Sequence, residues 1–404
     1  MKKRWIVFML LLCLLTGSVS FQTTIEADDS ITQERFVTML MKGMGLAEAT
    51  DTKNVILEKA YAKEVVKQTE KGILLDKLSK ERAAVYLERV DELVHGIQYD
   101  TDLYQVVRKK NRISDLKKIK KSNQDSVIKV FAKGIMVGYS NGYYIQSRKF
   151  SGKNSVTLSE AKTYLKRLQY PQKRRLLSKD GQVIRTTKLP KNYKCYPYIL
   201  ETYPNSFYEK KFEYQKTKYG KKPVELVDYA CPAKIGRMKF YNGMTMESVM
   251  DRYLDVWCEK VERNMKLRFN VDYRMIDNDW VSQLRSTYYR NEEDALANKK
   301  RTDEIKDYAA MVRKNKVVVK CSRVTVEPST VYNGVKNYVR VYVKFKVVDS
   351  YIDVRKCVYS DELDVKSLKK GQWRECCFDI AIGSINGFSK GQDYAVIDNK
   401  LLQA

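Results

Sequence analysis

Histidine is nearly missing from this chain: there is one, His95, among 404 residues. That scarcity excludes chemistries that set an imidazole beside a nucleophile or several imidazoles around zinc, so neither a Cys/His peptidase or transpeptidase nor a zinc amidase can be assembled. His95 itself is expected at the solvent-exposed end of a helix. Cysteine is short of pattern rather than of number, since no pair has C-x-x-C spacing. Without Cys13, which an N-terminal leader would carry away, seven remain from Cys195 onward, and an odd number leaves at least one unpaired. A chain of this length buries a core without disulfide staples. Adjacent Cys376 and Cys377 point to opposite faces of a strand, so at most one is expected to face the core. Long apolar runs are absent beyond residue 15, so no membrane anchor is expected after the leader. Acidic residues are few, 49 against 76 Lys and Arg, a net charge of +27.

What is present begins with that leader. Lys2, Lys3 and Arg4 precede an apolar run from Trp5 to Leu15, and Ser18-Val19-Ser20 supplies small residues, the pattern of a secretory signal peptide over residues 1–20 with cleavage after Ala27 as the other option. Leu12 before Cys13 does not suit lipidation. The positive charge is localised: residues 102–191 hold 23 Lys/Arg against 5 Asp/Glu, while residues 21–101 hold 11 against 15. For an exported protein such a belt points to anionic wall polymers, acidic lipid head groups or other polyanions.

The most informative stretch runs from Ala132 to Lys166. A short helix leads into Gly134-Ile135-Met136-Val137-Gly138-Tyr139-Ser140-Asn141-Gly142, a basic loop follows, and a second helix opens at Val156-Thr157-Leu158-Ser159-Glu160-Ala161. Gly138 and Gly142 bracket a tight loop where a residue without Cβ takes positive φ or admits close backbone approach. Thr157 and Glu160 have capping-box spacing, and Ala161, Tyr164, Leu165 and Leu168 follow at helical spacing. The order is repeated more faintly upstream. Ile31-Thr32-Gln33-Glu34-Arg35-Phe36 opens a helix with Phe36, Val37, Leu40, Met41 and Met44 on one face before Gly45. Tyr61 to Lys71 reads as a helix leading to Gly72-Ile73, and Leu78-Ser79-Lys80-Glu81-Arg82-Ala83 repeats the cap.

This order resembles the S-layer homology (SLH) family, whose units read helix, G-I-x-x-G-Y-x-D-G-x-F, loop, I-T-R-A-E-A, helix, and which fastens exported bacterial proteins to cell-wall polymers. The resemblance covers residues 30–168, with units at about 30–60, 61–95 and 126–168. It implies an all-α module with pseudo-threefold symmetry and ligand grooves between units. It also implies a polymer-binding set of Lys80, Lys133, Gly138, Tyr139, Asn141, Gly142, Thr157 and Glu160. The family's T-R-A-E arginine, which could grip an acidic group bidentately, is replaced by Gln33, Lys80 and Leu158, so only Lys80 keeps a cation, on a first turn expected to be exposed. The loop aspartate is Asn141, and the capping glutamate survives as Glu160 but is Arg35 and Arg82 in the other copies. If Lys80 lacks the contact, the basic residues between Arg108 and Lys121 are the next candidates.

Residues 169–191, with Pro171-Gln172-Lys173-Arg174-Arg175, read as a basic linker. The tyrosine-rich stretch from Tyr193 to Tyr241 suggests short strands and loops. From Thr245 a long amphipathic helix is signalled by Met246, Val249, Met250, Tyr253, Leu254, Trp257, Val261 and Met265, and Asp294 to Lys314 reads as a second. The period then becomes two: Val339, Val341, Val343, Phe345 and Val347 alternate with Arg340, Tyr342, Lys344 and Lys346, an antiparallel strand with one wet face. Asn333-Gly334 marks a turn from a strand over Val317 to Val326, with further strands over Val354 to Tyr359 and Trp373 to Ile382. Residues 192–404 are therefore expected to form an α+β domain with helices on an antiparallel sheet.

Asp272, Asp277 and Asp279 beside Trp280 form the densest acidic cluster of the second half. A carboxylate pair could serve a glycosidase, but Asp277-Asn278-Asp279-Trp280 reads more simply as a turn and helix cap. The spacing lacks the glycine and terminal glutamate of a calcium loop. No metal or cofactor is expected. The sequence thus describes an exported, non-enzymatic wall protein, held without covalent bonds to an anionic secondary wall polymer or peptidoglycan-linked glycan rather than a nucleic acid, with a C-terminal interaction domain. A secreted carbohydrate-active enzyme with a carboxylate site and a general polyanion binder remain the alternatives.

Overall fold

A computed structural model describes residues 29–403 apart from 97–98, 211–217, 220–221, 224–245, 292–293, 334–336, 362, 364, 366 and 384–394. The expected leader, Gly334 of the expected turn, and Tyr214, Tyr229 and Tyr241 lie outside the described residues. The N-terminal part is helical: α1 (Gln33–Gly43), α2 (Lys53–Ala62), α3 (Lys80–His95), α4 (Thr101–Lys109), α5 (Gln124–Ala132) and α6 (Leu158–Gln169), with a two-residue hairpin of β1 (Tyr139–Ser140) and β2 (Arg148–Lys149) before α6.

Three of these helices open alike. Thr32, Ser79 and Thr157 are the caps of α1, α3 and α6, and each side-chain oxygen accepts the amide three residues on, from Arg35 at 3.2 Å, Arg82 at 3.4 Å and Glu160 at 3.2 Å. The residue before each cap is apolar and buried, and these three close a ring: the Ile31 amide donates to Val156 O at 3.0 Å, Leu78 to Ile31 O at 2.8 Å, and Val156 to Leu78 O at 2.8 Å. A second ring runs in the opposite sense. Gln33 N donates to Asp76 O at 3.0 Å, Lys80 N to Asn154 O at 2.9 Å and Leu158 N to Asp29 O at 3.0 Å, so the orphan first amide of each helix is satisfied by the neighbouring repeat. Asp29, Asp76 and Asn154 each lie three positions before a cap. Gln33, Lys80 and Leu158 therefore occupy equivalent places about a pseudo-threefold axis, as the sequence comparison of the three openings has it.

The expected helix over Tyr61 to Lys71 is a correction. α2 ends at Ala62, Glu64 takes φ of 55°, and a 3-10 helix follows over Gln68–Ile73. The reversal buries Val65 and Val66 and lets Glu70 receive Arg89 at 2.8 and 3.0 Å and Arg82 at 3.0 Å. Burial opposes ionisation of Glu70, yet Arg89, the Lys67 amide and Arg82 outweigh it and hold the carboxyl at about 2.

Residues 169–191, read from the sequence as a basic linker, are packed along their length. Arg175 N donates to Gly134 O at 2.9 Å, Leu177 bridges Val183, Ile184 bridges Leu200, and Asp180 makes a buried pair with Arg112 at 2.8 Å. Further on come a short helix, α7 (Asn205–Tyr208), and a minimal hairpin of β3 (Lys218–Tyr219) and β4 (Lys222–Pro223).

The C-terminal part contains α8 (Met246–Phe269), β5 (Val271–Asp272), α9 (Asn278–Arg285), α10 (Ala295–Lys314), β6 (Val318–Asn333), β7 (Asn337–Asp349), β8 (Arg374–Ile382) and β9 (Leu402–Gln403). The five strands form an antiparallel half-barrel in sequential order. Trp257, Val261, Met265 and Phe269 recur every fourth residue on α8 and line the core, where Phe269 meets Phe345 and Phe378 with centroids 4.6 and 5.6 Å apart. Asn333 pairs with Asn337 across the expected turn. Val354–Lys356 is a 3-10 turn rather than a strand, because Asp353 accepts the Arg355 amide at 2.9 Å and grips its guanidinium.

The wet face expected for β7 is also corrected. Arg340 and Tyr342 are buried, because Ile199, Leu200, Tyr203, Phe207 and Tyr208 cover that side of the sheet. Arg340 pairs with Asp379 at 3.0 Å and donates to Phe207 O at 2.7 Å, and Tyr342 stacks on Tyr144 with centroids 3.6 Å apart and planes 2° from parallel. For the same reason both neighbouring cysteines are buried, Cys376 in the α8 core and Cys377 beneath residues 199–208. Among the described residues no helix is long and apolar enough to cross a membrane.

Candidate functional site

Gly138 sets the site's geometry. It has φ of +63°, and a Cβ there would lie 2.5 Å from Lys149 O, so only glycine lets β1 close against β2. Its turn presents the carbonyls of Val137 and Gly138 to the Arg148 guanidinium at 2.7 and 3.0 Å. Tyr139 then projects toward α3 and α6. Lys80 Nζ sits 2.6 Å from Glu160 Oε1 and 4.2 Å from the Tyr139 ring centre, it also donates to the Tyr139 hydroxyl, and that hydroxyl donates to Glu160 Oε1 at 2.5 Å. Glu160 completes the expected capping box with its other oxygen, accepting the Thr157 amide at 3.2 Å.

A cleft of about 220 Å³ opens here between the second and third repeats. Lys80, Gly138, Tyr139, Glu160, Arg148, Arg167 and Arg175 are among its walls. Four of the predicted residues thus meet at one place, and Thr157 supports it by holding Glu160. Lys80 is not on an exposed turn: its side chain is 5% exposed. The methylene stem passes through the repeat interface, and only the ammonium reaches the cleft.

The other predicted residues have different work. Lys133 is buried against Asp91, which also receives Arg174 at 2.6 Å and His95 Nδ1 at 3.0 Å, so Lys133 stands away from the cleft as a core ion pair. His95 is thereby half-buried rather than free at the helix end. Asn141 braces the hairpin, donating to Ser147 O at 3.0 Å and Ser114 Oγ at 3.2 Å. Gly142 has φ of +107° with open space around its Cβ position, so its requirement is conformational rather than steric. The corresponding groove between the first and second repeats is filled: Gln33 receives Tyr86 at 2.7 Å and donates to Ile73 O at 2.9 Å, beside the Arg82–Glu70 pair.

Arg148, Arg167, Arg175 and Glu201 were not singled out in the sequence. Arg148 NH1 and Arg175 NH2 both donate to Glu201 Oε2, at 2.9 and 3.2 Å, and Arg167 NH1 donates to Ile135 O at 2.9 Å. Burial lowers the pKa of both Arg148 and Arg167, with Arg175 adding repulsion to each and Glu201 favouring the charge on Arg148. The one sequence signal for the three arginines was the surplus of cations over residues 102–191, and Glu201 had none.

Between Arg108 and Lys121, Arg112 is buried on Asp180, whereas Lys117, Lys118, Lys120 and Lys121 are exposed. In the C-terminal part, Asp277 caps α9 through the Trp280 amide at 2.8 Å, Asp272 grips Arg274, and Asp279 holds Gln283, so these carboxylates are engaged separately. Among the described residues no group of three or more His, Cys, Asp or Glu converges to hold a metal ion. No family model, curated protein or solved structure matches the chain.

Proposed function

We propose that this is an exported bacterial wall-associated protein, bound without covalent attachment to an anionic wall polymer through an SLH-like module. The observation that carries the proposal is the pair of hydrogen-bond rings joining three equivalent helix caps, with an open cleft at one repeat interface. A pseudo-threefold cluster with a groove between repeats is the arrangement the motif resemblance implies. The cleft's Lys80, Tyr139 and Glu160 lie at the motif positions from which contact with polymer is expected. The C-terminal half-barrel serves as the interaction domain displayed at the wall.

The test is sedimentation of the full chain with purified bacterial cell wall before and after its secondary polymers are stripped. Binding to native wall and loss on stripped wall supports the proposal. Equal binding to both, or to neither, overturns it.

A further inference from the structure

The cleft is electrostatically lopsided. At one end Lys80 and Glu160 balance one another. At the other, three guanidinium groups, those of Arg148, Arg167 and Arg175, line the wall, and one carboxylate, that of Glu201, pairs with Arg148 and Arg175. Arg148 and Arg175 reach the same oxygen of Glu201, so that one carboxylate is shared between two guanidinium groups and leaves the cluster with a net positive charge. Each guanidinium carries five N–H donors, and Arg167 and Arg175 each use one in a hydrogen bond of this structure. Arg167 has no carboxylate partner among the described residues.

The arrangement is built. Arg148 is fixed by the two carbonyls that Gly138 turns toward it. Arg167 is fixed by Ile135 O from the last turn of α6, while Arg175 is placed by the bond from its own amide to Gly134 O. Gly134 has φ of +69°, and a Cβ there would meet Arg175 O at 2.0 Å. Glu201 comes from beyond the repeats, anchored by its amide on Val183 O at 2.9 Å. A cluster of partly buried like charges is relieved by an anion that accepts several of its donors at once.

We infer that Arg148, Arg167 and Arg175 form an oxyanion subsite for a phosphate or carboxylate group carried on a saccharide chain. The saccharide part rests on the wall-binding proposal; the oxyanion part does not. Arg175 and Glu201 lie outside residues 30–168, so the subsite is completed by the segment that joins the two halves of the chain.

The test titrates the full chain with glycerol 1-phosphate, galacturonate and uncharged glucose at fixed ionic strength, in wild type, Arg167→Gln and Arg167→Lys, with thermal midpoints as the check on folding. At least one charged probe should bind one to one, and the tighter identifies phosphate or carboxylate as the natural group. Arg167→Gln should weaken it roughly tenfold or more, the size of one charge-assisted hydrogen bond, Arg167→Lys should recover part, and glucose should be indifferent. If Arg167→Gln does not fold, Arg175→Gln carries the same expectation. Charged probes that fail to bind wild type, or bind the glutamine variant equally well, overturn the subsite. Wall sedimentation separates the two ideas: wild type and Arg167→Gln sedimenting alike removes the subsite and leaves the anchor, whereas Arg167-dependent probe binding without sedimentation does the reverse.

Discussion

Two buried ionisable side chains have opposite consequences. Lys80 is enclosed at the repeat interface with Glu160 and the Tyr139 hydroxyl as partners. Lys80→Met keeps most of the packing but leaves Glu160 without its cation, and should cost on the order of 1–3 kcal/mol, less than a fully buried pair because Glu160 is partly exposed. A urea midpoint unchanged from wild type would show that the pair does not hold the interface. Glu327, on β6, is buried with Tyr208 donating at 3.0 Å and Ser329 at 2.8 Å. Burial raises its pKa from 4.5 to about 8, with Ser329 and Tyr208 opposing and Asp180 adding to the rise. Folding therefore takes up a proton between those values, and the stability it brings is full below about 4.5 and lost as the pH rises through about 8. Glu327→Gln cannot ionise, so its thermal midpoint should gain on wild type between pH 5 and pH 9. Parallel profiles would mean that Glu327 titrates alike folded and unfolded.

At the scale of elements, the caps carry the repeat. Thr157→Ala removes the oxygen that accepts the Glu160 amide, leaving the Thr157 amide to hold the Glu160 carboxylate, and should cost roughly 0.5–2 kcal/mol, read as a lower denaturation midpoint; Ser79→Ala should cost a similar amount. If neither changes stability, the rings are held by the backbone alone. The caps were legible in the sequence because their chemistry lies within four residues, as at Thr157 and Glu160. The α8 stripe and the alternation along β7 were legible for the same reason, since a period needs only one element. Long-range cover was not. Nothing in Val339 to Val347 tells that residues 199–208 lie on the face of Arg340 and Tyr342, nor in Pro171 to Lys191 that this segment completes a cleft. The site was half legible: Lys80, Gly138, Tyr139 and Glu160 stand in motifs, whereas Arg148, Arg167, Arg175 and Glu201 meet only through tertiary structure.

Across the whole molecule, the positive belt is less a surface than its count suggests. Arg112, Lys129, Lys133 and Arg174 are all engaged by carboxylates, several of them from the acidic segment before residue 101. What the belt does expose includes the cleft and a ridge of Lys117, Lys118, Lys120 and Lys121, besides scattered lysines such as Lys149, Lys153, Lys162 and Lys166. A ridge alone would hold a polymer by screened attraction, because exposed charges interact over about 8 Å at physiological ionic strength and about 3 Å at 1 M. A cleft that also offers Tyr139 keeps contacts that salt does not remove. The central claim is recognition in the cleft, and its most direct measurement is wall binding by the full chain as salt is raised to about 1 M, wild type beside Tyr139→Ala. Wild type should retain part of its binding at the highest salt and Tyr139→Ala should lose that part while still folded, as its thermal unfolding transition shows. Complete release of both at the same moderate salt would contradict the claim and make the protein a general polyanion binder.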